Sequence, residues 1–304
     1  MSRPEPLRDI MVRAQARHVL VPAFNIAHLP MVAPICEVLV EEECFALLEV
    51  ARPDIERFGA QSLEAVAEAY RREADPHYVR LHLDHVPVID EEGRRVDWRP
   101  MLEEGLRLGY DSVMVDGSRL PLEGNIEVTR AVVAMARDYG AAVEAELGAV
   151  LGHEPGPLPD YEELLATGQG FTSPEEARRF VQETGVDWLS VAVGNIHGAL
   201  VGTRSREPKL TARLDIPHLQ RLHEATGRPL VLHGGSGIAP EYLLQAAQHG
   251  VTKLNIATEI RQPYLRVWEE TGSEGEAQRA VAEVVRELVT TRLPLRGTGR
   301  LLSE

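Results

Sequence analysis

A single (β/α)8 barrel is the fold class this sequence predicts, on three observations. Eight short apolar runs alternate with longer amphipathic segments from one end to the other, no break in composition divides the chain, and polar residue types gather where the runs end. At 304 residues and 44% hydrophobic content the chain is long for one ordinary domain and normal for such a barrel, so one domain over 1–304 is expected.

The eight runs read as strands at 18–24, 45–50, 78–83, 112–115, 142–147, 188–193, 229–232 and 252–256. Helical periodicity falls between them at 31–42, 63–74, 122–139, 175–184, 216–225 and 240–249. Ser173 before Pro174 reads as a helix N-cap followed by its first residue, and Gly140, Gly185 and Gly250 stand where glycines end helices. Two segments break the rhythm. The Gly/Pro-rich connection 148–172 is long enough to form a mobile lid, and 275–293 reads as an extra C-terminal helix that covers the barrel or a neighbouring subunit.

Composition excludes several classes of partner. The formal net charge is −15, and Lys209 and Lys253 are the only lysines among 32 basic residues, which argues against nucleic acid and anionic membrane as partners. A small anion remains compatible, because backbone N–H groups, arginine or a metal in one pocket outweigh the global field. Cys36 and Cys44 are too few for a disulfide framework, the N-terminus lacks the apolar core of a signal peptide, and Pro34 and Glu37 interrupt the most apolar stretch. A soluble cytoplasmic protein is expected.

In a barrel of this kind, side chains at the C-terminal ends of the strands converge on one face. Those ends carry Asn25, Asp84, His85, Asp116, Glu146, Asn195, His197, His233 and Asn255. Any one of them is as readily a helix cap or a hydrogen-bonded core residue; all together at one end they point to a site. Histidines from three strand ends, His85, His197 and His233, fit a catalytic zinc with an open coordination position. His82 is placed to support them from behind, whereas His28, His218, His223 and His249 fall on helices or loops as surface or capping residues. The run LHGGSG (232–237) and KLNIAT (253–258) offer exposed N–H groups after strands seven and eight, where barrels commonly bind phosphate.

With these motifs in view, the chain resembles the class II fructose-bisphosphate and tagatose-bisphosphate aldolases. Seven blocks match in order: VPAFNI (21–26), HLDH (82–85), SVMVDGS (112–118), VEAELG (143–148), VAVGNIHG (191–198), PLVLHGGSG (229–237) and KLNIATE (253–259). The resemblance implies a ketose-bisphosphate or ketose 1-phosphate aldolase of carbohydrate metabolism or glycolysis, releasing dihydroxyacetone phosphate and an aldehyde. It implies that His85, His197 and His233 hold Zn2+, which stabilises the enediolate of cleavage. Asp84 would exchange the proton of the C4 hydroxyl, and Glu154 that of the dihydroxyacetone phosphate carbanion. Gly198, Gly234, Gly235, Ser236, Asn255, Ile256, Ala257 and Thr258 would bind the C1 phosphate, with Asn25 near the substrate. Asp116 and Glu146 match carboxylates that hold a second divalent ion in some members, a supporting role being the alternative for Glu146. A monovalent cation near the phosphate and a homodimer or homotetramer are also implied.

The departures surround this set without entering it. Val86, Arg119, Asn195 and Ala51 replace the family's usual glycine or polar residue, histidine, threonine and serine, and LGHEPG stands where an acidic GGxED is common. Aldol chemistry with an unusual aldehyde half is the expectation. Arg52 and Arg119 are candidates for the distal anion, or else solvated surface residues, and NIAT leans toward tagatose-type members. Three rival readings share parts of this pattern: a Schiff-base aldolase using Lys253, a metal-dependent hydrolase, whose H-x-H pair is missing because strand one ends in Ala23, Phe24 and Asn25, and a non-catalytic sugar-phosphate-binding homologue.

Overall fold

Runs such as VPAFN, ALLEV and SVMVD are apolar or buried on both faces, and a sheet of such strands needs cover on both sides. The computed structural model, which describes residues 5–90, 92–148, 161–195 and 212–303 with the Ser236 side chain outside this set, provides that cover by closure. The strands are β1 (Val21–Asn25), β2 (Ala46–Val50), β3 (Val79–Pro87), β4 (Ser112–Asp116), β5 (Ala142–Leu147), β6 (Trp188–Val191), β7 (Leu230–Leu232) and β8 (Val251–Ile256). Each is parallel to its sequence neighbour, and β8 returns to β1 through the pairs Val21–Lys253 and Ala23–Asn255. Helices between the strands complete a (β/α)8 barrel.

Local signals set the helix limits. Ser173 accepts a hydrogen bond from the Glu176 N–H at 3.4 Å to open Pro174–Thr184, and Gly140 and Gly185 end their helices at φ 72° and 68°. Strand limits differ where a backbone group is diverted. The first strand begins at Val21 because His18 takes φ 55° and donates back to the preceding helix at Gln15. The sixth stops at Val191, since the Val193 N–H is bound at 3.0 Å by the Asn195 side chain.

Strand alternation divides the core into two parts. Outward side chains such as Phe24, Leu48, Leu81 and Val113 pack beneath the helices. Inward ones near the N-terminal mouth, Val21, Ala23, Leu47, Ala142, Trp188 and Val231, form a separate apolar floor with Leu7, Ile10, Met11 and Ala14 of the helix Leu7–Ala16 and with Leu302. The C-terminal helix expected at 275–293 is Glu274–Glu287 with a π-turn at Leu288–Arg292, packed outside the barrel on helices Val32–Glu41 and Thr258–Thr271. Of the expected lid, 149–160 lies outside the described residues. No helix among the described residues is long and apolar enough to cross a membrane.

Candidate active site

Above the apolar floor the inward positions turn polar, and β3 turns most sharply. Its register with β4 shifts between Leu83 and Val86, and His85 within that bulge has φ 33°. A non-glycine residue there costs of order 1–3 kcal/mol, strain that a functional position can carry. The bulge breaks the alternation, so two consecutive side chains face the same site. Asp84 Oδ2 lies 3.9 Å from His85 Nε2, and the His85 ring meets the His233 ring edge-on at 4.4 Å between centroids.

One donor atom each from Asp84, His85 and His233 can be taken within 4.8 Å of one another, and the same holds for His85, Asp116 and Glu146. Imidazole with carboxylate is a donor set suited to zinc and other divalent ions. A third combination, Glu49, His82 and Asp84, already has a cation: Lys253 Nζ is 3.2 Å from Glu49 and 3.7 Å from Asp84. Electrostatics favour a metal in the first two. Burial, then the Asp116 and Glu144 charges, push the Glu146 carboxyl up to about 8. Burial opposes ionisation of Asp116 as well, but hydrogen bonding and attraction from His85 hold it at about 2. For His85 burial works against the cation, and Asp84, Asp116 and Glu146 override it to about 10. Crowded carboxylates that recruit a proton and a cationic imidazole are ones a divalent ion would satisfy.

Beneath the histidines lies an ion network that the sequence reading only partly foresaw. Glu144 Oε1 accepts from His233 Nε2 at 2.9 Å, while Oε2 lies 2.9 Å from Lys253 Nζ and accepts from Trp188 Nε1 at 2.8 Å. His82 fits its expected supporting place, 3.6 Å from Asp84, 3.5 Å from Glu144 and 2.8 Å from Ser112 Oγ. Burial disfavours the Lys253 ammonium, yet Glu144, Glu49 and Asp84 hold it above its ordinary value, so it is no free amine for a Schiff base. Glu49 and Glu144 were missed, although their inward parity with Leu47 and Glu146 marks them.

The expected phosphate loops lie back to back. Gly234 (φ 74°) opens the 3-10 turn Gly235–Gly237, and a Cβ on Gly235 would stand 2.8 Å from the Asn255 carbonyl. Asn255 leads through Ile256 and Ala257 to Thr258, where a 14-residue helix begins with no side-chain cap hydrogen bond at its N-terminus among the described residues. Asn255 Nδ2 also donates to Asp84 Oδ1 at 3.1 Å, tying this loop to β3. Asn195 ties β6 to β7, donating to the His233 carbonyl at 3.2 Å. Arg119 donates instead to the Asp90 carbonyl, and Arg52 lies 3.7 Å from Glu56. His197, Gly198 and Glu154 lie outside the described residues.

Asn25 Nδ2 and the Ala51 N–H both donate to one oxygen of Asp54, at 2.6 and 2.8 Å. Burial pushes Asp54 up to about 6, against those two hydrogen bonds. A raised carboxyl contributes most to stability below its unfolded pKa of about 4, and the contribution is lost as pH rises through 6. Asp54→Asn keeps an oxygen for both donors and removes the titration. Denaturant unfolding at pH 5 and pH 8 should show the wild type losing about 1–2 kcal/mol relative to the variant; parallel pH dependences would contradict this.

Comparison with known proteins agrees with the architecture. The family described as fructose-bisphosphate aldolase class-II matches residues 5–294. A crystallised Coccidioides immitis protein assigned as a fructose-1,6-bisphosphate aldolase is 27% identical, with a TM-score of 0.75 over 96% of this chain and 97% of that one. The YdjI aldolase of Escherichia coli K12 is 25% identical with a TM-score of 0.75, covering 96% and 98% of the two chains. A fructose-bisphosphate aldolase of Campylobacter jejuni, at 17% identity and a TM-score of 0.70 over 96% and 94%, shares the fold.

Proposed function

Because the chain belongs to the class II fructose-bisphosphate aldolase family, we propose that it cleaves a ketose 1,6-bisphosphate or a related ketose 1-phosphate reversibly into dihydroxyacetone phosphate and an aldehyde. The observation that carries this is the convergence of Asp84, His85 and His233 within 4.8 Å at the ends of β3 and β7. His85, His233 and, from outside the described residues, His197 would hold Zn2+, with Asp116 and Glu146 open to a second divalent ion. A bound ion supplies Lewis-acid polarisation of the substrate carbonyl.

The remaining steps belong to side chains. Burial opposes the charge on Asp84, but His85 and Lys253 hold its carboxyl well below the usual range, so it meets substrate as the base that takes the C4 hydroxyl proton. As the C3–C4 bond breaks, C4 becomes the aldehyde and its electron pair stays with C3, which Glu154 would reprotonate. Gly198, Gly234, Gly235, Ser236 and the 255–258 turn would bind the C1 phosphate through N–H groups, the uncapped helix at Thr258 adding its dipole. Asn25 would line the substrate, and a monovalent cation would sit by the phosphate. A homodimer or homotetramer, one domain over 1–304 and a cytoplasmic location complete the reading, and the replaced surround at Ala51, Val86 and Arg119 points to an unusual aldehyde.

Zinc-loaded protein should turn over at least one of fructose 1,6-bisphosphate, its tagatose epimer or a panel of ketose 1-phosphates, with dihydroxyacetone phosphate coupled to NADH oxidation, and EDTA should abolish the rate. EDTA-resistant turnover, or metal-loaded folded protein inert toward the whole panel, would sink the proposal.

A further inference from the structure

We propose that Glu144 is a positioning residue that sets the tautomer and orientation of His233 and thereby the affinity of the site for its metal. This rests on the metal-dependent reading above. The Glu144 carboxylate is fully buried and has donors on both sides: His233 Nε2 at one oxygen, Lys253 Nζ and Trp188 Nε1 at the other. A carboxylate only accepts, so the proton of a neutral His233 must reside on Nε2. That leaves Nδ1, 3.4 Å from Glu146 Oε2, as the lone-pair nitrogen. Lys253 and Trp188 in turn fix Glu144, so the orientation of a ligand on β7 is dictated from β5, β6 and β8.

The arrangement makes an isosteric substitution informative. In Glu144→Gln the amide oxygen satisfies Lys253 and Trp188, and the NH2 group is then presented to His233 Nε2. The imidazole must accept there and move its proton to Nδ1, the nitrogen that would bind the metal. A purely space-filling role would leave this variant unchanged, whereas positioning predicts weaker metal binding without loss of fold.

The experiment is zinc competition with a chromophoric chelator on wild type, Glu144→Gln and Glu144→Ala, with Tyr110→Phe as a control that removes a buried hydrogen bond to the Leu63 carbonyl and touches neither Glu144 nor His233. Melting curves and the 15N-histidine spectrum accompany it, the His233 signals being assigned by their loss in His233→Asn. About 10- to 100-fold weaker zinc binding is expected in both Glu144 variants, together with a switch from Nε2-H to Nδ1-H in Glu144→Gln; the control should bind as wild type does. Equal zinc affinity in wild type and Glu144→Gln would overturn the inference and leave the metal reading standing. A wild type that takes up no zinc would overturn both. Should the variants fail to fold, the wild-type spectrum decides: a His233 protonated on Nδ1 overturns the inference.

Discussion

Asp84→Asn is expected to lower kcat for ketose phosphate cleavage by about two to four orders of magnitude while the protein stays folded. Asp84 is buried, accepts from Asn255 Nδ2 at 3.1 Å and lies 3.7 Å from the Lys253 ammonium, so it is held as an anion where the hydroxyl proton must go. The amide matches its shape but has no basic oxygen. Measuring zinc content beside the rate separates two roles. Retained zinc with lost turnover identifies a base. Loss of both identifies a ligand, which the grouping of Asp84 with His85 and His233 also permits. Unchanged kcat would remove Asp84 from the chemistry.

Lys253→Met is expected to destabilise the fold by about 3–5 kcal/mol, a large part of the 5–15 kcal/mol that holds a typical domain. Its ammonium is fully buried between Glu144 at 2.9 Å and Glu49 at 3.2 Å. Removing it leaves the fully buried Glu144 carboxylate without its ammonium, while burial already pushes the Glu49 carboxyl well above its ordinary range. Denaturant unfolding measures the loss, and a change below about 1 kcal/mol would show that the network carries no net charge to compensate. Borohydride added with substrate to the wild type should trap no adduct on Lys253. An adduct there would revive the Schiff-base alternative.

Much of this was legible because β/α alternation writes itself into the period of apolar residues. All eight strands lie where the apolar runs are, and Ser173, Gly140 and Gly185 delimit helices as their chemistry demands. The convergence of His85, His233, Asp84 and Asn255 followed from counting which residues end strands. The bulge at Asp84–His85 could not be read, because a register shift belongs to the pairing of β3 with β4 and no residue type there announces it. The polar tail of HLDH looked like the end of a strand that in fact runs on to Pro87. The network of Glu49, Glu144 and Lys253 was hidden differently. Each residue is inward by parity, but their meeting depends on barrel shear, and Lys253 alone suggested a nucleophile. The helix Leu7–Ala16 that closes the floor precedes the first strand, outside the repeating unit.

The interior charges also bear on how the chain reaches its native state. The carboxylates come from β2, β3 and β5, whereas the ammonium that balances them comes from β8, the last strand in the chain. A nascent chain that has emerged only through β7 would have to enclose Glu49 and Glu144 without the ammonium that lies between them, a cost of several kcal/mol. Closure is therefore tied to the arrival of the eighth strand.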